Sequence, residues 1–128
     1  MIGFVMIGTN DLEASSKFYD IVLSELDMIK SFIGERYVGY ADNNNPEKIN
    51  LYVTIPFNKE LTTSGNGTMV ALLAKSRDQV DRFHKVALQN GALNEGLPGP
   101  RPSDAIEYYS YIRDLNGNKI CVYSTSET

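Results

Sequence analysis

The sequence predicts an α+β fold: two βαβββ modules forming a curved mixed sheet, with the helices on its outer face. Two observations carry that prediction. An apolar run of strand length, a polar cap and an amphipathic helix occur in succession, and the same succession returns half a chain later. After each helix come short runs rich in β-branched and aromatic residues, separated by clusters of Gly, Asn and Pro.

Module one opens on Gly3-Phe4-Val5-Met6-Ile7-Gly8-Thr9, an apolar run. Asn10-Asp11-Leu12-Glu13 has the form of a capping box, with Asn10 at the cap and Glu13 reaching back to its amide. Leu12, Ser16, Tyr19, Leu23 and Leu26, with Phe18 and Val22 beside them, recur at helical spacing. Residues 28–33 and 36–41 read as strands around a Gly34-Glu35 turn, and 42–46 as a turn cluster of Asp, Asn and Pro. From 49 to 55 the chain alternates, with Ile49, Leu51, Val53 and Ile55 on one face and Asn50, Tyr52 and Thr54 on the other.

Residues 58–66 lack periodicity and are expected to connect module 1–57 to module 67–128 within a single domain. Module two repeats the opening: the apolar run 68–74, a capping box Ser76-Arg77-Asp78-Gln79, and a helix with the stripe Val80, Phe83, Ala87 and Leu88. Asn90-Gly91 closes that helix. Residues 92–97 form a short strand in this reading, and 97–103 are irregular because Pro98, Pro100 and Pro102 fix φ and remove donors. The strands 107–113 and 118–124 flank an Asp114-Leu115-Asn116-Gly117 turn, whose Asn-Gly is a strong hairpin signal.

Strand alternation then assigns faces. Val5, Ile7, Leu51, Val53, Val70, Leu72, Ile120 and Val122 pack under the helices. Phe4, Met6, Asn50, Tyr52, Met69, Ala71, Cys121 and Tyr123 face the other way, joined by Tyr109 and Tyr111. This second, tyrosine-rich face is the expected lining of a small-molecule pocket; the plainer reading is that its side chains fill the concavity as core. Arg101 and Asp104, in the Pro-Gly loop, are candidate polar contacts or ordinary loop surface.

Composition excludes other classes. The net charge of −4, with Lys and Arg scattered, argues against a nucleic-acid partner. The longest purely apolar run, 69–74, is too short to cross a bilayer, so no membrane partner is expected. One cysteine excludes an intrachain disulfide, and no basic flank precedes an apolar segment at the N-terminus; the expected location is cytoplasmic. Cys121 as a nucleophile requires a base within reach. The only histidine, His84, lies on the second helix and is expected on its surface, across the sheet from Cys121. Glu35 and Glu107 are acids without a paired carboxylate partner in the sequence pattern.

Gly8-Thr9-Asn10-Asp11-Leu12 with Lys17-Phe18-Tyr19, then Gly65-Asn66-Gly67-Thr68, then Arg113-Asp114-Leu115-Asn116-Gly117-Asn118-Lys119 resemble, in that order and spacing, the vicinal oxygen chelate superfamily of glyoxalases, bleomycin-resistance proteins and dioxygenases. The likeness covers nearly the whole chain and is closest to small bacterial glyoxalase-like proteins. It implies paired βαβββ modules, a homodimer, and a divalent metal held by strand residues. The matching positions here are Phe4, a position near Asn50, Met69 and Cys121. These are poor ligands for a hard divalent ion, so no metal or other cofactor is expected. The expected function is metal-independent recognition of a small organic molecule; the alternative is a metal-dependent lyase, isomerase or dioxygenase of the lactoylglutathione lyase kind.

Overall fold

The chain runs β1 (Val5–Gly8), α1 (Leu12–Ser24), β2 (Met28–Ile33), β3 (Tyr37–Asp42), β4 (Ile49–Thr54), β5 (Val70–Leu73), α2 (Arg77–Gln89), β6 (Leu93–Pro100), β7 (Tyr108–Arg113) and β8 (Lys119–Ser124). The computed structural model describes all residues, 1–128. They divide into two units, Met1–Thr63 and Ser64–Thr128, each with its own sheet and helix.

In the first unit the strand order is β1-β4-β3-β2, with β1 parallel to β4 and the other pairs antiparallel. The second unit has the same plan, β5-β8-β7-β6, with β5 parallel to β8. A parallel pair needs a crossover, and the helix with its following strands supplies it in each unit.

The helix stripe sets the core of the first unit. Phe18, Tyr19, Val22 and Leu23 of α1 are buried, as are Val38 and Tyr40 of β3 and Leu51 and Val53 of β4. Each such side chain contributes roughly 1.5–3 kcal/mol by leaving water. Tyr40 keeps its hydroxyl satisfied inside this core by donating to Asp20 Oδ1 (2.8 Å) on α1. Burial and the Asp20 carboxylate push that phenol far above its ordinary value. Lys30 of β2 bonds the other oxygen of Asp20 (3.1 Å), so one carboxylate ties two strands to the helix.

Asn10 is not the cap of α1. Asp11 is, accepting the Ala14 amide (3.0 Å). The shift follows from Thr9, a buried residue whose hydroxyl accepts the Asp11 amide (3.0 Å) and lies 2.6 Å from the Ser15 hydroxyl. That local turn starts the helix one residue later. Asn10 accepts the Thr62 amide instead (2.8 Å), and Glu13 pairs with Lys17 (3.5 Å).

In the second unit Ser76 caps α2 as expected, accepting the Gln79 amide (3.1 Å). Gln79 reaches one residue further back than a capping box, to the Lys75 amide (2.8 Å). Gly91, at φ 102°, follows the C-cap Asn90 in the left-handed region that favours glycine. The buried stripe is Val80, Phe83, His84 and Ala87, with Leu88 exposed. His84 is therefore not a surface residue: it is 3% exposed, and its Nε2 lies 3.1 Å from Asn94 Oδ1. A histidine fills this apolar stripe because Asn94 on β6 supplies the polar partner that burial demands.

The irregular stretch at 97–103 begins later than the prolines imply. β6 extends to Pro100, pairing Gly99 with Tyr109 and Pro100 with Tyr108. It is the edge strand of its sheet and carries two register shifts, Asn94/Gly96 and Gly96/Gly99. An edge strand with bulges tolerates proline, whose missing N–H is not needed by a neighbour.

Candidate functional site

Each sheet has one face away from its helix. In the second unit Ser110, Ile112, Ile120 and Val122 are buried under α2, so the pleat turns Tyr109, Tyr111, Cys121 and Tyr123 to the open side. Ala71 and Leu73 of β5 extend the same face opposite Cys121 and Tyr123. The rings stand nearly parallel: Tyr109 to Tyr123 at 5.3 Å and 12°, Tyr109 to Tyr111 at 6.2 Å and 3°. Gly96, opposite Tyr111, makes this possible, since a Cβ there would lie 2.7 Å from Tyr111 Cδ2.

Cys121 sits under these rings, 1% exposed. Burial pushes its thiol up to about 11, only partly opposed by Lys119, so at neutral pH it is a protonated small hydrophobe. His84 lies on the helix side and offers it no base. The Tyr111 hydroxyl is also pushed up, first by burial and then by Cys121, with Arg101 opposing.

Two cations border the tyrosines. Arg101 donates to the Leu97 carbonyl (2.7 Å) and holds its guanidinium 6.0 Å from the Tyr111 ring centre. Lys119 places Nζ 5.4 Å from the same ring and forms no ion pair. Arg113, its cross-strand partner, is engaged with Glu95 (2.7 Å) and the Gly117 carbonyl (3.1 Å). Beside Lys119 is a cleft of about 360 Å³ lined by Asn66, Gly67, Thr68, Met69, Arg113 and Lys119. The hairpin that carries its two cations is held by Asp114, a buried carboxylate accepting the Asn116 and Asn118 amides and Asn118 Nδ2, each at 2.9 Å.

Of the residues expected at a site, Met69, Ala71, Tyr109, Tyr111, Cys121, Tyr123 and Arg101 thus belong to the second unit's open face and its border. Asp104 does not join them; it is exposed and makes no ion pair or hydrogen bond. Phe4, Met6, Asn50 and Tyr52 lie on the first unit's open side, where Phe4 packs edge-on against Tyr52 (5.1 Å) and Tyr52 against Tyr37 (5.4 Å). Lys119, Arg113, Asn66 and Thr68 belong to the motifs that carry the family resemblance, but the sequence reading does not place them at a site. Residue parity carried the signal for the two cations: 113 and 119 share the pleat side of 109, 111, 121 and 123.

A divalent metal, which the resemblance implies, does not fit these donors. No group of three or more His, Cys, Asp or Glu side chains converges anywhere in the chain. Strand registers make Tyr52, rather than Asn50, the counterpart of Cys121, since Met6 pairs Tyr52 as Ala71 pairs Cys121. With Phe4, Tyr52 or Asn50, Met69 and a protonated Cys121, the set offers no carboxylate, imidazole or ready thiolate.

A family model of the Glyoxalase/Bleomycin resistance protein/Dioxygenase superfamily matches residues 1–122. A glyoxalase/bleomycin resistance protein from Albidiferax ferrireducens T118 is 36% identical, covering 95% of this chain and 96% of its own, with a TM-score of 0.84. A glyoxalase/bleomycin resistance protein/dioxygenase family enzyme from Burkholderia phytofirmans PsJN shares the fold at 21% identity, 97% and 98% coverage and a TM-score of 0.72. Lactoylglutathione lyase from Agrobacterium tumefaciens does so at 20% identity, 97% and 92% coverage and a TM-score of 0.64. No curated protein matches the chain. A duplicated βαβββ unit, matched by the family model over all but its last residues, places this chain in the glyoxalase/bleomycin resistance protein/dioxygenase superfamily, to which it belongs.

Proposed function

We propose that the protein binds a small organic molecule on the tyrosine-bearing face of its second unit, without a divalent metal. The observation that carries this reading is the trio Tyr109, Tyr111 and Tyr123: three part-exposed, nearly parallel rings whose hydroxyls have no partner in the protein. Aromatic faces supply apolar contact at small cost in rotamer entropy, and free hydroxyls supply the few polar contacts that orient a ligand. The donor set at the metal positions supports the metal-free part. The reading extends to a cytoplasmic homodimer. Exposed Phe4, Met6, Leu93 and Leu97 support association, and the unpaired Cys121 fits a reducing compartment.

The test is native mass spectrometry of untagged protein purified without chelator, with elemental analysis and calorimetric titration of zinc, nickel, iron and manganese. The expected result is a co-purified organic mass, lost in Tyr111→Ala, and no stoichiometric metal. A one-to-one metal, or an organic mass unaffected by loss of Tyr111, overturns the reading.

A further inference from the structure

We propose that the ligand of this face is a flat conjugated carboxylate, with its carboxylate at Lys119 and its ring against Tyr111. The inference rests on the binding reading above and adds the charge and shape of the ligand. Charge is the first argument. The protein as a whole is acidic, with a net charge of −4, yet the face and its cleft gather Lys119, Arg113 and Arg101. Three carboxylates belong to this neighbourhood. Asp114 is buried and occupied by the Asn116 and Asn118 amides and Asn118 Nδ2. Glu95 is consumed by Arg113 at 2.7 Å. Glu107 stands just before β7, six residues from Arg113, a distance of about 20 Å in an extended chain. Lys119 thus has a ring beneath it and no counter-ion beside it.

The cleft next to Lys119 is the second argument. Asn66 and Thr68 add an amide and a hydroxyl to the ammonium, and Gly67 leaves the wall without a side chain. Its volume, about 360 Å³, is that of a small-molecule site. A carboxylate there gains a charge-assisted contact from Lys119 that a neutral group does not. Shape is the third argument. The Tyr109 plane lies 3° from that of Tyr111 and 12° from that of Tyr123, so the face presents one ring orientation rather than a disordered apolar patch. A flat π-system extended from the cleft toward Tyr111 meets that orientation; a saturated ring of equal bulk has no such preferred contact.

The probes are trans-cinnamate, its neutral amide, the cation cinnamylamine, and the saturated acid 3-cyclohexylpropanoate. Binding is read by calorimetry and by the ring resonances of Tyr109, Tyr111 and Tyr123. Cinnamate is expected to bind roughly tenfold or more tightly than cinnamamide, as a charge-assisted contact requires. That preference should vanish in Lys119→Met, return in Lys119→Arg, and weaken with salt. The Lys119 side chain makes no hydrogen bond or ion pair, only its contact with the Tyr111 ring, so both variants should fold with a melting curve close to the wild type's. Equal affinity for acid and amide, or a preference that survives Lys119→Met, overturns the anion assignment and leaves the binding reading standing. Equal affinity for the saturated acid overturns the flat body. If none of the four probes moves the tyrosine resonances, the ligand assignment falls, and the binding reading is decided separately by whether an organic mass co-purifies and is lost in Tyr111→Ala.

Discussion

At the centre of its open face the first unit pairs Gly39 with Tyr52, and the second pairs Tyr111 with Cys121. These positions are equivalent by register, since each lies on the inner antiparallel pair of its sheet. Both pairs set a large residue against a small one, but the ring comes from β4 in one unit and from β7 in the other. The exchange decides how the neighbouring rings meet. Tyr52 lies across Gly39 and meets Phe4 and Tyr37 edge-on, which interlocks the rings. Tyr111 stands beside Tyr109 in parallel, and neither hydroxyl has a partner in the protein. The equivalent of Lys119 in the first unit is Asn50, which carries no charge. Two copies of one topology thus carry different surfaces, and the chemistry belongs to the face rather than to the fold.

The comparison can be broken hardest at the helix–sheet ties. Tyr40 and Tyr108 both donate to an aspartate on the helix of their unit, Asp20 at 2.8 Å and Asp81 at 2.7 Å. Tyr40 is fully buried and Tyr108 is not. Tyr40→Ala should cost about 3–5 kcal/mol in urea unfolding, as large-to-small core changes do. Tyr108→Ala should cost about 1 kcal/mol, because water replaces much of what is lost. Comparable losses in the two variants would mean that burial does not separate the ties.

The glycines come next. Gly39→Ala brings a Cβ within 2.9 Å of both Ile49 and Tyr52 on an inner strand, and should cost about 1–3 kcal/mol. Gly96→Ala meets Tyr111 on an edge strand, where the ring can swing outward. It should cost about 1 kcal/mol or less and should disturb the tyrosine resonances more than the melting temperature.

Cys121 gives the second unit a pH response of its own. Its folded-state value, about 11, lies above the ordinary 9.0, so the unfolded chain loses this proton first as pH rises. The associated stability is complete below about 9 and is lost as pH climbs through about 11. Comparing Cys121→Ala with the wild type at pH 8 and pH 11 should show the wild type losing more over that interval. Parallel losses would count against a buried thiol.

The smallest effects sharpen the caps. Asp11→Ala and Ser76→Ala should each cost about 1 kcal/mol. Asn10→Ala removes an exposed bond to Thr62 and should cost about 0.5 kcal/mol. A larger loss at Asn10 than at Asp11 would restore Asn10 as the cap.

Much of this was legible in the sequence, because hydrophobic period and turn chemistry are local. Alternation at 49–55 and the Asn-Gly hairpin placed β4, β7 and β8, and the same alternation turned Tyr109, Tyr111 and Tyr123 to one face. What was not legible depended on distant partners. Asn10 looked like a cap until Thr62, from the far end of the unit, took its side chain. His84 looked exposed because its partner, Asn94, lies on the next strand. The cleft at Lys119 needs Asn66 and Thr68 brought to the hairpin by the parallel pairing of β5 with β8, which no local pattern encodes.

The two prolines of β6 have a consequence beyond its pairing with β7. Pro98 and Pro100 remove two of the amide hydrogens that the sheet's free edge would otherwise offer, and two bulges break the spacing of those that remain. β2, the corresponding edge of the first unit, has one register shift and no proline. A stray strand from another chain therefore finds a poor template at β6, so aggregation by edge-to-edge growth is blocked there by the backbone itself. At β2 that protection rests on Lys30, its one charged residue, and on the single bulge beside it.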